Sequence, residues 1–168
     1  ITAADIVKLQ KYRRIIFVSG TDSARGHIDA ELLLNQDLEQ EYVVDSRGMV
    51  VLFPEPVNQK AEAVMRSVGM TMETHISQQF ERQNILDDTL VLTMEESQKD
   101  KLRSEYENIR NIYTLNEFTE DTTEIPNPYG KPLTAYGECL EVMEKLIAEL
   151  AEKLNLSAEG EKEWGKYM

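Results

Sequence analysis

Ile15-Ile16-Phe17-Val18 runs without a break into Ser19-Gly20-Thr21-Asp22-Ser23-Ala24-Arg25-Gly26. Three β-branched residues and an aromatic in succession read as a strand buried on both faces, as a parallel sheet between helical layers requires. The small polar residues after it make a turn that opens onto an amphipathic helix over about 26–39, with Ile28, Leu32, Leu33 and Leu34 on its apolar face. Backbone N–H groups converge at such a strand–loop–helix junction, and the helix dipole favours an anion there. Arg25 adds a bidentate cation suited to phosphate. The expected phosphate-binding set is Gly20, Thr21, Asp22, Ser23, Ala24 and Arg25, with Ser19 at its base. Two residues conflict with that chemistry: the base is a serine, and the loop contains an acid, Asp22.

Strand-like and helix-like segments alternate along the rest of the chain, which predicts a parallel α/β sheet. Tyr42–Val44 reads as a second strand, ended by Asp45-Ser46-Arg47-Gly48 as a turn. A helix over about 58–68 carries Ala61, Val64, Met65 and Val68 on one face and stops at Gly69. Residues 75–84 read as a short helical turn. Thr89–Met94 is the third strand, a helix follows at about 95–106, and Asn111–Leu115 is the fourth strand. Residues 116–131 read as a polar loop with Pro126, Pro128 and Gly130. A last helix over about 132–155 has the clearest 3.6-residue period, through Leu133, Tyr136, Leu140, Met143, Leu146, Ile147, Leu150 and Leu154. Right-handed crossovers through four strands give a three-layer αβα fold of flavodoxin-like order. Residues 1–155 make one domain, and 156–168 read as a polar tail with Trp164 its one anchor.

With 168 residues the chain is long enough to bury a proper core. Its net charge of −13 argues against nucleic acid or an anionic membrane as the partner. No apolar run reaches the roughly 20 residues that cross a bilayer. The one cysteine, Cys139, cannot form an internal disulfide, so a reducing cytoplasm is the simplest compartment. Beginning at Ile1 rather than Met, the chain leaves room for a processed or trimmed amino terminus. No residue pattern calls for a metal or another cofactor.

The ordered set of segments resembles the low-molecular-weight protein tyrosine phosphatase family over about residues 13–155. Ser19 and Arg25 are spaced like that family's Cys-(five residues)-Arg loop. Ser46-Arg47-Gly48 falls where it has a Ser-Ala-Gly turn, and His75-Ile76-Ser77 resembles its His-x-Ser segment, so Ser46 and His75 are expected to support the loop. Ile125-Pro126-Asn127-Pro128-Tyr129-Gly130 is similar to its Ile-Pro-Asp-Pro-Tyr acid loop, which makes Tyr129 the expected wall of a substrate site.

What the resemblance implies for chemistry is where this chain departs from it. The family's nucleophile is a thiolate whose pKa the loop depresses, and an aspartic acid protonates the leaving group. Here those positions hold Ser19 and Asn127. The loop asparagine of the family aligns with Asp22, and the serine after the arginine with Gly26. A second negative charge about 4 Å from a bound phosphate costs on the order of 4 kcal/mol at an effective dielectric near 20. An Asp22–Arg25 ion pair would answer that cost by closing the loop on itself.

Two functions stay open from these residues. One is a non-catalytic, degenerate member of the family that binds phosphate or a phosphoprotein. The other is an active phosphomonoesterase on phosphotyrosine or phosphoarginine proteins, with Ser19 as a Cys-to-Ser form. Oligomeric state does not follow from the sequence. A receiver module would need a phosphoacceptor Asp at the end of the third strand, where Thr93-Met94 stands. The arsenate-reductase relatives of this fold need several cysteines, and this chain has one.

Overall fold

The structure, a computed structural model, describes residues 12–19, 30–38, 42–49, 59–70, 78–107, 109–128 and 130–165. Strands β1 (Arg14–Ser19), β2 (Val43–Gly48), β3 (Thr89–Thr93) and β4 (Ile112–Thr114) form one parallel sheet in the order β2-β1-β3-β4. The register runs Arg14↔Val43 to Ser19↔Gly48 on one side of β1, and Arg14↔Thr89 to Val18↔Thr93 on the other. This is the expected flavodoxin-like order, with β1 central and its carboxyl end flanked by both neighbours.

Alternation along β1 divides the core in two. Ile15 and Phe17 join Leu90 and Leu92 on one face; Ile16 and Val18 join Val91 and Ile112 on the other. The first face is covered by α1 (Ala30–Asp37), α2 (Gln59–Ser67), α4 (Leu115–Thr119) and the long α5 (Leu133–Gly165). The second is covered by α3 (Glu96–Glu105) and the segment around a 3-10 turn at Arg82–Asn84. Tyr136, Leu140, Met143, Leu146, Ile147, Leu150 and Leu154 of α5 are buried as their period predicts. Cys139 is buried beside them.

Several expectations are corrected. Asp45–Gly48 is strand rather than turn, because β1 extends to Ser19 and goes on pairing with β2 as far as Gly48. Residues 116–131 are not all loop: Thr114 caps α4, its hydroxyl accepting from the Glu117 amide at 3.0 Å while Glu117 accepts from the Thr114 amide at 2.9 Å. That reciprocal pair is a capping box, written in the sequence as Thr114-Leu115-Asn116-Glu117. The last helix continues past 155 to Gly165, through Ala158, Glu159, Glu161 and Lys162, all good helix formers. Leu133 and Val68, placed on core faces by periodicity, are exposed because each sits at a helix end beyond the packed layer. The helical-turn expectation for 75–84 holds only at Arg82–Asn84; residues 71–77 lie outside the described residues.

Candidate functional site

Ser19 is the last residue of β1, at the carboxyl edge where ligands of doubly wound sheets bind. Its surroundings are tied down by backbone hydrogen bonds. Met49 donates to the Ser19 carbonyl at 3.2 Å, Gly48 donates to the Gln78 carbonyl at 2.7 Å, and Phe80 donates to the Gly48 carbonyl at 2.8 Å. The ends of β1 and β2 and the segment at 78–80 therefore form one connected rim. Within it Ser19 is 6% exposed, and its hydroxyl oxygen is buried with no hydrogen-bond partner among the described residues.

Ser46 is half-buried in β2, opposite Phe17, two residues short of the rim. Its carbonyl accepts from the Arg47 guanidinium at 2.8 Å, and the same nitrogen lies 3.9 Å from Asp45 Oδ1. Arg47 thus folds back on its own strand.

Asn127 is exposed on a segment without regular secondary structure, 121–128, that leaves the carboxyl end of β4 by way of α4. The segment is anchored at both ends. Asn116 Nδ2 donates to the Asp121 and Thr123 carbonyls at 2.7 and 2.6 Å, and the Asp121 carboxylate accepts from the Thr123 amide and hydroxyl at 2.9 and 2.6 Å. Further on, Ile125 packs against the main core and Pro128 is buried. Lys131 donates to the Pro128 carbonyl at 2.9 Å across Gly130, whose φ of 75° is a conformation that favours glycine. Lys60 of α2 closes the turn by donating to the Lys131 carbonyl at 2.8 Å. Sequence reading missed Asp121, Thr123 and Lys145, which hold this segment. The signal available was the Asp-x-Thr spacing of an Asx turn.

Of the expected site residues, the structure places Ser19, Ser46 and Asn127. Gly20, Thr21, Asp22, Ser23, Ala24, Arg25, His75 and Tyr129 lie outside the described residues. Among the described residues no group of three His, Cys, Asp or Glu side chains could hold a metal ion. No described helix is long and apolar enough to cross a membrane. A separate cavity of about 380 Å3, lined by Ile85, Thr89, Val91, Ile109 and Arg110 with their neighbours, opens at the amino ends of β3 and β4. That is the sheet edge opposite Ser19.

Residues 14–160 match the family model described as low molecular weight phosphotyrosine protein phosphatase. This chain belongs to that family. A protein-arginine-phosphatase of Geobacillus stearothermophilus is 30% identical over 143 residues, covering 84% of this chain and 95% of the relative. A low molecular weight protein tyrosine phosphatase from T. tengcongensis superposes with a TM-score of 0.75 at 28% identity, over 84% of this chain and 99% of that one. A second phosphatase structure is a Cys-to-Ser mutant of the YwlE arginine phosphatase with a phosphorylated active-site serine. It superposes with a TM-score of 0.73 at 25% identity, over 84% of this chain and 95% of that one. The phosphatase fold thus accounts for the parallel sheet and its order.

Proposed function

We propose that this chain is a phosphatase-family protein that captures phosphate or a phosphoprotein in the cytoplasm and does not turn it over. The observation that supports it most is Ser19 at the carboxyl end of β1, with its hydroxyl buried and unpaired among the described residues. A serine hydroxyl stays protonated near neutral pH, so it lacks the ready anion that a depressed-pKa thiolate supplies. Asn127 has no proton to give a leaving phenolate, and Asp22 adds negative charge where a dianion would sit. The sequence of the loop retains Arg25 and Gly20, residue types suited to binding an anion.

The phosphorylated serine of the YwlE mutant favours a second reading, an active or half-active phosphomonoesterase. In this chain the Ser19 oxygen would form a bond to phosphorus as the bond to a phenol oxygen or an arginine nitrogen breaks. The hydroxyl proton would pass to that leaving atom, because Asn127 cannot supply one. Hydrolysis of the resulting phosphoserine would then be the slow step.

Incubation with an aryl phosphate at mid-acid pH, followed by intact-mass measurement, separates the readings. Release of phenol at about one turnover per second or faster refutes both the non-catalytic and the half-active forms. A phosphoserine at position 19 without sustained release supports the half reaction. Reversible phosphate binding with no adduct supports the non-catalytic protein.

A further inference from the structure

The cavity at the amino ends of β3 and β4 lies at the sheet edge opposite Ser19, where the phosphate chemistry makes no use of it. One wall is the turn that leads into β3, residues 85–89, and the other is the approach to β4, residues 109–111. Both walls are braced by the main chain. Ile85 donates to the Arg82 carbonyl at 3.0 Å, Thr89 to the Leu86 carbonyl at 3.1 Å, and Val91 to the Asn111 carbonyl at 2.9 Å. Asn111 ties the walls together: its Nδ2 donates to the Asp87 carbonyl at 3.4 Å, while its Oδ1 accepts from the Tyr12 hydroxyl at 3.3 Å. The space of about 380 Å3 that these bonds frame falls within the roughly 300–1,000 Å3 of small-molecule sites.

Three kinds of group line it. Ile85, Leu86, Val91 and Ile109 are apolar, and Leu86 is exposed despite its size. Asp87 and Arg110 bring opposite charges to the same cavity, both on exposed residues. Among the described residues neither is in an ion pair, with the other or elsewhere; it is the neighbouring Asp88 that pairs, with Arg14 at 3.6 Å. Thr89 completes the lining. It is 2% exposed, and its hydroxyl oxygen is buried with no hydrogen-bond partner among the described residues.

Charge complementarity selects the occupant. A simple anion drawn to Arg110 brings its charge towards Asp87, and a simple cation drawn to Asp87 meets the reverse repulsion. A chain of net charge −13 also repels anions at long range. A zwitterion meets both side chains and carries no net charge. Its apolar part then covers the apolar lining.

We propose that this cavity binds a free amino acid with an apolar side chain. The carboxylate pairs with the Arg110 guanidinium, a geometry that arginine offers in bidentate form. The ammonium, with three protons to donate, is shared between the Asp87 carboxylate and the Thr89 hydroxyl on the same wall. The side chain packs against Ile85, Val91 and Ile109, removing their exposed apolar surface from water. Occupancy of this site does not depend on whether the chain hydrolyses phosphate.

Titration of the full chain with L-phenylalanine and with L-leucine, followed by amide chemical shifts, tests this. Saturable shifts should concentrate at Thr89, Val91 and Ile109 for at least one of the two. For the amino acid that binds, the analogues lacking only the ammonium or only the carboxylate should each bind about tenfold or more weakly. Arg110→Gln and Asp87→Asn, both at exposed positions, should each weaken binding by a similar factor while the remaining amide shifts stay those of the folded chain. The absence of a saturable shift at these three residues with either amino acid, or shifts confined to the Ser19 rim, overturns the proposal. So does equal binding of either analogue, or an unchanged affinity in either variant.

Discussion

Lys99 on α3 places its Nζ 2.6 Å from Glu117 Oε1 on α4, joining the two helices that follow β3 and β4. The same Glu117 carboxylate accepts from the Thr114 amide at 2.9 Å, so one side chain both caps a helix and pairs with a buried lysine. Lys99 also meets Glu96 at 2.9 Å. Burial opposes the lysine charge, but the hydrogen bonds from Glu117 and Glu96 outweigh it and raise the Lys99 pKa. Burial likewise opposes the Glu117 charge, and the Lys99 and Thr114 hydrogen bonds overcome it and lower the Glu117 pKa.

Glu117→Gln should destabilise the fold by about 1–2 kcal/mol. A sealed ion pair broken on one side costs about 3–5 kcal/mol, but Glu117 is partly exposed and Lys99 keeps Glu96, so screening reduces the loss. The pH sign follows from the lowered Glu117 value: its stabilisation is present above the ordinary glutamate pKa and lost as pH falls through the folded one. Urea midpoints in the acid range should therefore converge for wild type and Glu117→Gln, after differing near neutrality. A difference that persists unchanged into strong acid would contradict the assignment.

Gly69→Ala should cost about 1 kcal/mol through the backbone alone. Gly69 has φ 83°, and nothing lies within 4 Å of where a Cβ would stand. Met70 donates to the Met65 carbonyl at 3.0 Å and Gly69 to the Arg66 carbonyl at 3.0 Å, the two bonds of a Schellman cap. With no clash to relieve, the loss reports only the left-handed strain. Thermal unfolding of Gly69→Asn should fall between wild type and Gly69→Ala, since asparagine tolerates this region better.

Much of this was readable in the chain because its signals were local. The apolar runs at Ile15–Val18 and Thr89–Met94 need burial on both faces, and Gly69 has one conformational use at a helix end. The α5 period identified the buried residues from Tyr136 to Leu154. The reading failed where the deciding contact was distant or the rule competed with another. Asp45-Ser46-Arg47-Gly48 has turn composition, yet pairing with β1 overrides it through Gly48. The α4 helix was hidden because a five-residue helix shows no period, and only its Thr114–Glu117 cap gave it away. The Asp121–Lys145 ion pair joins residues far apart in sequence, and no spacing rule announces it. The candidacy of Ser19 and Asn127 rests on order among recognisable segments, whereas the burial of the Ser19 hydroxyl, unpaired among the described residues, needed coordinates.

Ser19→Ala should leave stability unchanged or raise it by up to about 1 kcal/mol. The hydroxyl removed is buried and unpaired among the described residues, so its desolvation is not repaid by a hydrogen bond. Most core substitutions do the opposite. Denaturant unfolding without phosphate checks this. A loss above about 1 kcal/mol would mean that the oxygen makes a stabilising contact after all.

Cys139 should react with a thiol reagent only as fast as the chain opens. It is 1% exposed on the buried face of α5, so native labelling waits on unfolding. The rate should rise with added urea in step with the loss of structure seen by circular dichroism, and rapid labelling in buffer would place Cys139 outside the core.

If the chain is non-catalytic, as proposed, gaining the family's chemistry should take two substitutions rather than one. Ser19→Cys supplies a sulfur nucleophile at the carboxyl end of β1, but Asn127 still leaves the departing phenolate without a proton. The single variant should therefore hydrolyse an aryl phosphate slowly, with a preference for substrates whose leaving phenol is already acidic. Adding Asn127→Asp should raise turnover by about 10²–10⁴-fold on poor leaving groups and far less on good ones, because a general acid matters most where the leaving group is most basic. That dependence on leaving group distinguishes proton donation from a change in folding, which would move all substrates alike. If Ser19→Cys alone gave full activity that Asn127→Asp did not improve, the proton would be coming from elsewhere in the chain. Asn127 would then not limit proton donation to the leaving group.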